Sequence, residues 1–197
     1  MNGRYYIHSL YFDDYKDTSI YTTNSGLSER FKWRIRYYGD DLSYIVLEKK
    51  EKIESRCHKK SCKITVDEYN TIVSGDLTDL IFETEKKLIK ELAVDMLTCN
   101  YMPKVIIDYE RIAYVEEITN VRITFDMKIS ASYELENFLT QDYQNFYILP
   151  SGLNLLEVKF DEILPSYIRN IVESYSFTQG SFSKYYYGRK IIDSYLR

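Results

Sequence analysis

The sequence predicts an α+β protein built around an antiparallel β-sheet. Tyrosine occurs 21 times and aromatic residues make up 16% of the 197 positions, and aromatic rings pack well on a pleated surface. Strand-like segments follow one another across short polar turns, as hairpin partners do. There is no βαβ alternation, no Gly-rich phosphate loop and no internal repeat.

Taken in order, residues 4–13 (RYYIHSLYFD) read as a strand, and residues 15–29 as a polar connection turning at Gly26. Residues 30–38 (RFKWRIRYY) and 43–52 form a hairpin around Gly39-Asp40-Asp41. Residues 56–65 form a further strand. Thr65 with Glu68 makes a capping box for a short helix that ends at Gly75. Leu77, Leu80, Ile81, Leu88, Leu92 and Met96 recur at helical spacing, which predicts one helix over 77–97, with Pro103 stopping that segment. Residues 104–115, 121–129 and 153–160 read as strands. Pro165 suits the first turn of a helix to Tyr175, and residues 184–196 form a closing helix.

Charge is segregated by face, because alternate strand side chains point to opposite sides. Lys32, Arg34 and Arg36 share a face opposite Phe31, Trp33, Ile35 and Tyr37. Glu48, Lys50 and Lys52 repeat the habit, as do Arg122, Thr124, Asp126 and Lys128, and Glu157 with Lys159. Arg111 adds a cation to an otherwise apolar strand. If the sheet curls, these faces line a groove or barrel interior. Cations gathered there repel one another and lose hydration, so they call for a polyanion. Arginine suits phosphate through its planar fork. Carboxylates among the cations suit Mg²⁺ or Mn²⁺, hard ions that also bridge phosphates.

Several classes are disfavoured. With 26 basic and 30 acidic residues the net charge is −4, which argues against nucleic acid as partner. No apolar run is long enough to cross a membrane. The residues Met1–Tyr6 lack an apolar leader core. Three cysteines, Cys57, Cys62 and Cys99, then read as reduced thiols in a cytoplasmic protein. Two separated histidines, His8 and His58, give no zinc spacing.

A series of motifs resembles the VTC domain, the polyphosphate polymerase domain of the triphosphate tunnel metalloenzyme, or CYTH-like, superfamily. Ser9-Leu10-Tyr11-Phe12-Asp13 is similar to its SLYFD strand, Lys32–Gly39 to its KxRxRxYG strand, and Leu47-Glu48-Lys49-Lys50 to LExK. Lys59-Lys60-Ser61 is similar to the basic segment that follows. Tyr109–Tyr114 resembles YxRxAY, Val121–Asp126 VRITFD, Leu156–Lys159 LEVK and Ser183-Lys184-Tyr185 the terminal SKY. The eight motifs are colinear over nearly the whole chain.

The resemblance implies a single tunnel domain over residues 1–197: an antiparallel β-barrel with flanking helices that binds ATP or another triphosphate, and polyphosphate. It implies Arg34, Arg36, Lys50 and Lys184 as catalytic cations. Lys32, Lys59, Arg111, Arg122, Lys159 and Ser183 would bind substrate, with Lys60 the rival of Lys59 because the register there is open. Glu157, and less directly Glu48, would hold Mn²⁺ or Mg²⁺. The implied reaction moves the terminal phosphoryl group of ATP onto polyphosphate. The alternatives are triphosphate hydrolysis and a non-catalytic module binding polyphosphate or inositol phosphates. The family's domain often works beside membrane proteins, so a membrane-protein partner is implied, without direct insertion of this chain. The family carries a strand of RxExKY type before SLYFD. None precedes Ser9 here, so the tunnel is expected to be incomplete at its N-terminal side, with an open sheet edge that a homodimer would cover.

Overall fold

The computed structural model describes residues 3–54 and 56–196; Met1 and Asn2 of the polar N-terminus lie outside that range. Eight strands and six α-helices are formed among the described residues. They run β1 (Arg4–Asp13), α1 (Thr18–Asn24), β2 (Arg30–Tyr38), β3 (Asp41–Ile53), β4 (Arg56–Ile64), α2 (Val66–Ser74), α3 (Leu77–Glu83) and α4 (Lys87–Cys99). Then come β5 (Met102–Glu116), β6 (Val121–Ser132), β7 (Phe146–Tyr147), β8 (Leu155–Lys159), α5 (Ser166–Glu173) and α6 (Lys184–Tyr195).

All strand pairs are antiparallel, in the order β4-β3-β2-β1-β5-β6-β7, with β8 also on β6. The fold is therefore α+β, as predicted. The sheet curls around a cavity but does not close. Among the described residues β4 and β8 are not paired with each other, which leaves a seam.

The sheet has two buried faces. On the outer one Leu10, Phe12, Trp33, Ile35, Tyr37 and Leu47 pack against Ile72 of α2 and Ile89 and Leu92 of α4. On the concave one Ile7, Tyr11, Val105, Ile107, Tyr109 and Ala131 pack against Tyr185 and Ile192 of α6. The approach of α6 is close at Gly188, where a Cβ atom would stand 2.2 Å from Ile107 Cδ1 and 3.4 Å from Ala131 Cβ. Lys184 lies one helical turn before Gly188 and so shares its face of α6. A buried network sets the pose of α6: the Tyr185 hydroxyl donates to Asp13 at 2.6 Å, and Arg189 donates to both carboxylate oxygens of Asp17 at 2.9 and 3.1 Å.

Four details depart from the sequence reading. The polar connection contains α1, whose residues are weak helix formers. It is held by the carboxylates of Asp14 and Asp13, which accept from the Thr18 and Ser19 amides at 2.8 and 2.9 Å. The single helix over 77–97 is two helices, because Thr84 adopts an extended conformation and its hydroxyl accepts from the Lys86 amide. Pro103 does not merely precede β5 but sits inside its first residues, opposite Phe12. Finally, Lys128 leaves the face of Arg122, Thr124 and Asp126. The β5–β6 register shifts between Asp108 and Glu110, and Lys128 has φ 51°. This bulge turns its side chain to Glu110, 3.5 Å away. The capping box at Thr65 and Glu68 forms as predicted.

Candidate functional site

The curled sheet encloses a cavity of about 770 Å³ lined by β1 to β6, β8 and the start of α6. Among the described residues its wall carries eleven Lys and Arg side chains: Arg30, Lys32, Arg34, Arg36, Lys50, Lys52, Lys59, Arg111, Arg122, Lys159 and Lys184. Two carboxylates among the described residues, Glu48 and Glu157, line it. Strand pairing aligns these groups in rows. Arg30 faces Lys52, Lys32 faces Lys50 and Lys50 faces Lys59, and Arg34 faces Glu48. Same-face neighbours along a strand are about 7 Å apart, so the rows form successive rungs.

The Lys32–Lys50–Lys59 rung places three like charges side by side, an arrangement that destabilises a sheet unless an anion compensates it. Lys32 donates to Ser183 Oγ at 3.1 Å, and neither Lys32 nor Lys50 has a carboxylate within salt-bridge range among the described residues. Burial drives the Lys32 ammonium down to about 8, with Arg30 and Lys50 adding to the effect against the pull of Tyr11. Ser183 also caps α6, accepting from the Tyr186 amide at 3.2 Å, so helix start and lysine are tied together.

The next rung is internally neutralised. Arg34 Nε donates to Glu48 at 2.6 Å, and Lys59 donates to the other Glu48 oxygen at 3.2 Å. Burial raises the Glu48 carboxyl, but Arg34, Arg36 and Lys59 outweigh it and bring it to about 2. Glu48 is thus consumed in holding cations. Arg34 also donates to the Tyr11 hydroxyl at 3.1 Å, and Arg36 to Ser9 and Tyr109, both at 3.1 Å. Burial raises the Tyr11 phenol, yet Arg34, Arg36 and Lys32 prevail and lower it to about 8.

Across the cavity Arg111 makes two bonds to Asp126, and Lys184 Nζ lies 2.6 Å from the same carboxylate. Burial works against Asp126 ionisation, but Arg111 and Lys184 more than offset it and hold the carboxyl below its ordinary range. Arg122 faces Lys159 across β6 and β8, and Glu157 faces Thr124. Lys159 reaches Glu157 at 3.2 Å.

The structure thus brings all the sequence-named site residues to one wall except Lys60. Lys60 points to the other side of β4, where it meets Glu91 at 3.4 Å and Glu51 at 3.8 Å; alternation along β4 allows only one of Lys59 and Lys60 inside. The sequence reading missed Tyr11, Tyr109 and Ser9 as supports for the arginines, and Asp126 as anchor of Arg111 and Lys184. Their signal was the same i, i+2 spacing. Arg30 extends it from Lys32.

A sequence model of the VTC domain matches residues 1–192. The chain belongs to the VTC domain family. A search of curated proteins gives no match. Among the solved structures that share the fold are two cyclase candidates. One is a candidate adenylyl cyclase from Hippeastrum, reported to have a dominant triphosphatase activity, at 13% identity and TM-score 0.50, covering 87% of this chain and 72% of that one. The other is a candidate adenylate cyclase from Bacillus halodurans, at 10% identity and TM-score 0.50, covering 92% of this chain and 80% of that one. At such identities the likeness establishes the tunnel architecture.

For a VTC domain the fit of a divalent metal is decided by its donors. Among the described residues no three His, Cys, Asp or Glu side chains gather. Glu157 is, among the described residues, the one lining carboxylate without a guanidinium partner. Opposite it, Thr124 Oγ1 is buried with no hydrogen-bond partner. One carboxylate and one hydroxyl fit a hard ion that completes its shell with phosphate oxygens and water, as Mg²⁺ does. They do not fit an ion caged by protein alone. No helix of the described residues is long and apolar enough to cross a membrane.

Proposed function

We propose that the cavity binds a triphosphate or polyphosphate chain and, with Mn²⁺ or Mg²⁺, transfers the terminal phosphoryl group of ATP to polyphosphate. The observation that carries this reading is the Lys32–Lys50 pair within that rung: Lys32 is desolvated, neither lysine has a carboxylate partner among the described residues, and an extended polyanion relieves their repulsion. A terminal oxygen of the acceptor attacks the γ-phosphorus, the bond to ADP breaks, and its electron pair leaves with ADP. Such a reaction needs positioning and charge neutralisation above all. Arg34, Arg36, Lys50 and Lys184 neutralise the reacting phosphates; Lys32, Lys59, Arg111, Arg122, Lys159 and Ser183 hold the chain. Glu48 serves by fixing Arg34 and Lys59, and Glu157 with Thr124 would hold the metal. When bound, the metal screens phosphate charge from the incoming nucleophile.

Hydrolysis of triphosphate is the second reading. The seam between β4 and β8 supports it, as a gap in the sheet by which water could reach the cavity. The Hippeastrum neighbour's reported triphosphatase activity accords with it.

Two substitutions test the reading. Glu157→Gln abolishes metal-dependent turnover of ATP and retains most metal-free binding of tripolyphosphate. Arg122→Ala weakens the binding itself. If both variants bind and turn over like the parent, the assignment of this wall is wrong.

A further inference from the structure

Tyr11 lines the cavity at 6% exposure, and its hydroxyl is only half used. The oxygen accepts from Arg34 at 3.1 Å, and no acceptor among the described residues takes its proton. A buried hydroxyl proton left unbonded carries a desolvation cost that a ligand oxygen would offset.

The position of this hydroxyl is fixed from several sides. Tyr11 pairs with Arg34 directly across β1 and β2. Its ring stacks on Tyr185, 5.2 Å away, in the first turn of α6 and next to Lys184. Tyr109 of β5 packs in the same cluster. The neighbouring groups are already committed: the Tyr185 hydroxyl donates to Asp13, and Glu48 accepts from Arg34. The phenol thus stands between Arg34 and the start of α6, which carry two of the four cations assigned above to the reacting phosphates.

We propose that Tyr11 is a catalytic hydrogen-bond donor, whose hydroxyl bonds the oxygen that leaves with ADP. The inference rests on the phosphoryl-transfer reading above and applies equally to hydrolysis, since ADP departs in both. When the bond from that oxygen to the γ-phosphorus breaks, its electron pair stays on the oxygen, and a preorganised donor there favours the transition state over the bound substrate. Burial raises the phenol, but Arg34, Arg36 and Lys32 bring it down to about 8, which makes it a stronger donor than an ordinary tyrosine and leaves it protonated at neutral pH. A phosphate group gives up its second proton at about 6, below the phenol, so the proton stays on Tyr11 and is shared in the hydrogen bond.

Tyr11→Phe tests this role, because it removes the hydroxyl, keeps the ring on Tyr185 and leaves Glu48 to hold Arg34. ADP release from ATP with Mn²⁺ and short polyphosphate is measured in parent and variant, and tripolyphosphate binding by calorimetry. The variant is expected to lose about 100-fold in kcat, the low end for one preorganised donor, while KM for ATP and tripolyphosphate affinity stay within about twofold. A residue that merely supported Arg34 would weaken binding as well. Unchanged kcat, or a kcat that falls together with tripolyphosphate affinity, overturns the role and leaves the cavity reading intact. A parent that binds tripolyphosphate but releases no ADP overturns the role and the transfer reading together. A parent that does not bind tripolyphosphate overturns the cavity reading, and the role with it.

Discussion

Arg111 and Asp126 form a two-bond ion pair, at 2.6 and 2.8 Å, with the carboxylate fully buried and Lys184 drawn onto it. One carboxylate thus stores two cations of the wall in the absence of phosphate. Removing one partner of a buried pair costs about 3 kcal/mol, so Asp126→Asn is expected to lower the melting temperature strongly. An anion that engages Arg111 and Lys184 takes over part of that neutralisation. Saturating tripolyphosphate is therefore expected to raise the variant's melting temperature more than the parent's. An equal increment in both contradicts this role.

The pH dependence of binding follows from Lys32 and Tyr11, both near 8. Above that value Lys32 loses its positive charge and Tyr11 gains a negative one, and both changes oppose a polyanion. Tripolyphosphate affinity is expected to fall as pH rises from 7 to 9, and binding at pH 8 to take up protons. For stability the Lys32 sign is opposite. Its folded value lies below the ordinary lysine value, so its penalty is present below about 8 and is relieved as pH rises above it. Titration in buffers of different ionisation enthalpy measures the proton uptake; no uptake at pH 8 contradicts the assignment.

Lys59 and Lys60 are adjacent and separate cleanly. Lys59→Ala is expected to weaken tripolyphosphate about fivefold, the loss of one charge contact of roughly 1 kcal/mol at a partly exposed site. Lys60→Ala leaves the affinity unchanged, because its partners are Glu91 and Glu51 on the other face. Equal losses in both variants contradict the register of β4.

Much of this site was legible before any coordinates, because strand periodicity fixes a face. Lys32, Arg34 and Arg36 read as one row and stand as one row in the cavity wall. The choice between Lys59 and Lys60 was not legible, since a strand's register depends on the pairing of β4 with β3. The bulge at Lys128 was hidden for a related reason: a lysine with positive φ carries no local signature of the kind glycine gives. Helix α1 escaped because its stability comes from the carboxylates of Asp13 and Asp14 and not from its own residues. The Thr84–Lys86 break was masked by apolar spacing that continues in phase across it. The position of Lys184 was hidden too, since it depends on α6 packing into the concave face through Gly188.

The central claim is that the cationic wall is a polyphosphate site. Calorimetric titration of tripolyphosphate into the protein, with and without Mn²⁺, tests it most directly. The account predicts binding in both conditions, tighter with the metal. Absence of heat in both, confirmed by no shift in melting temperature, would contradict it.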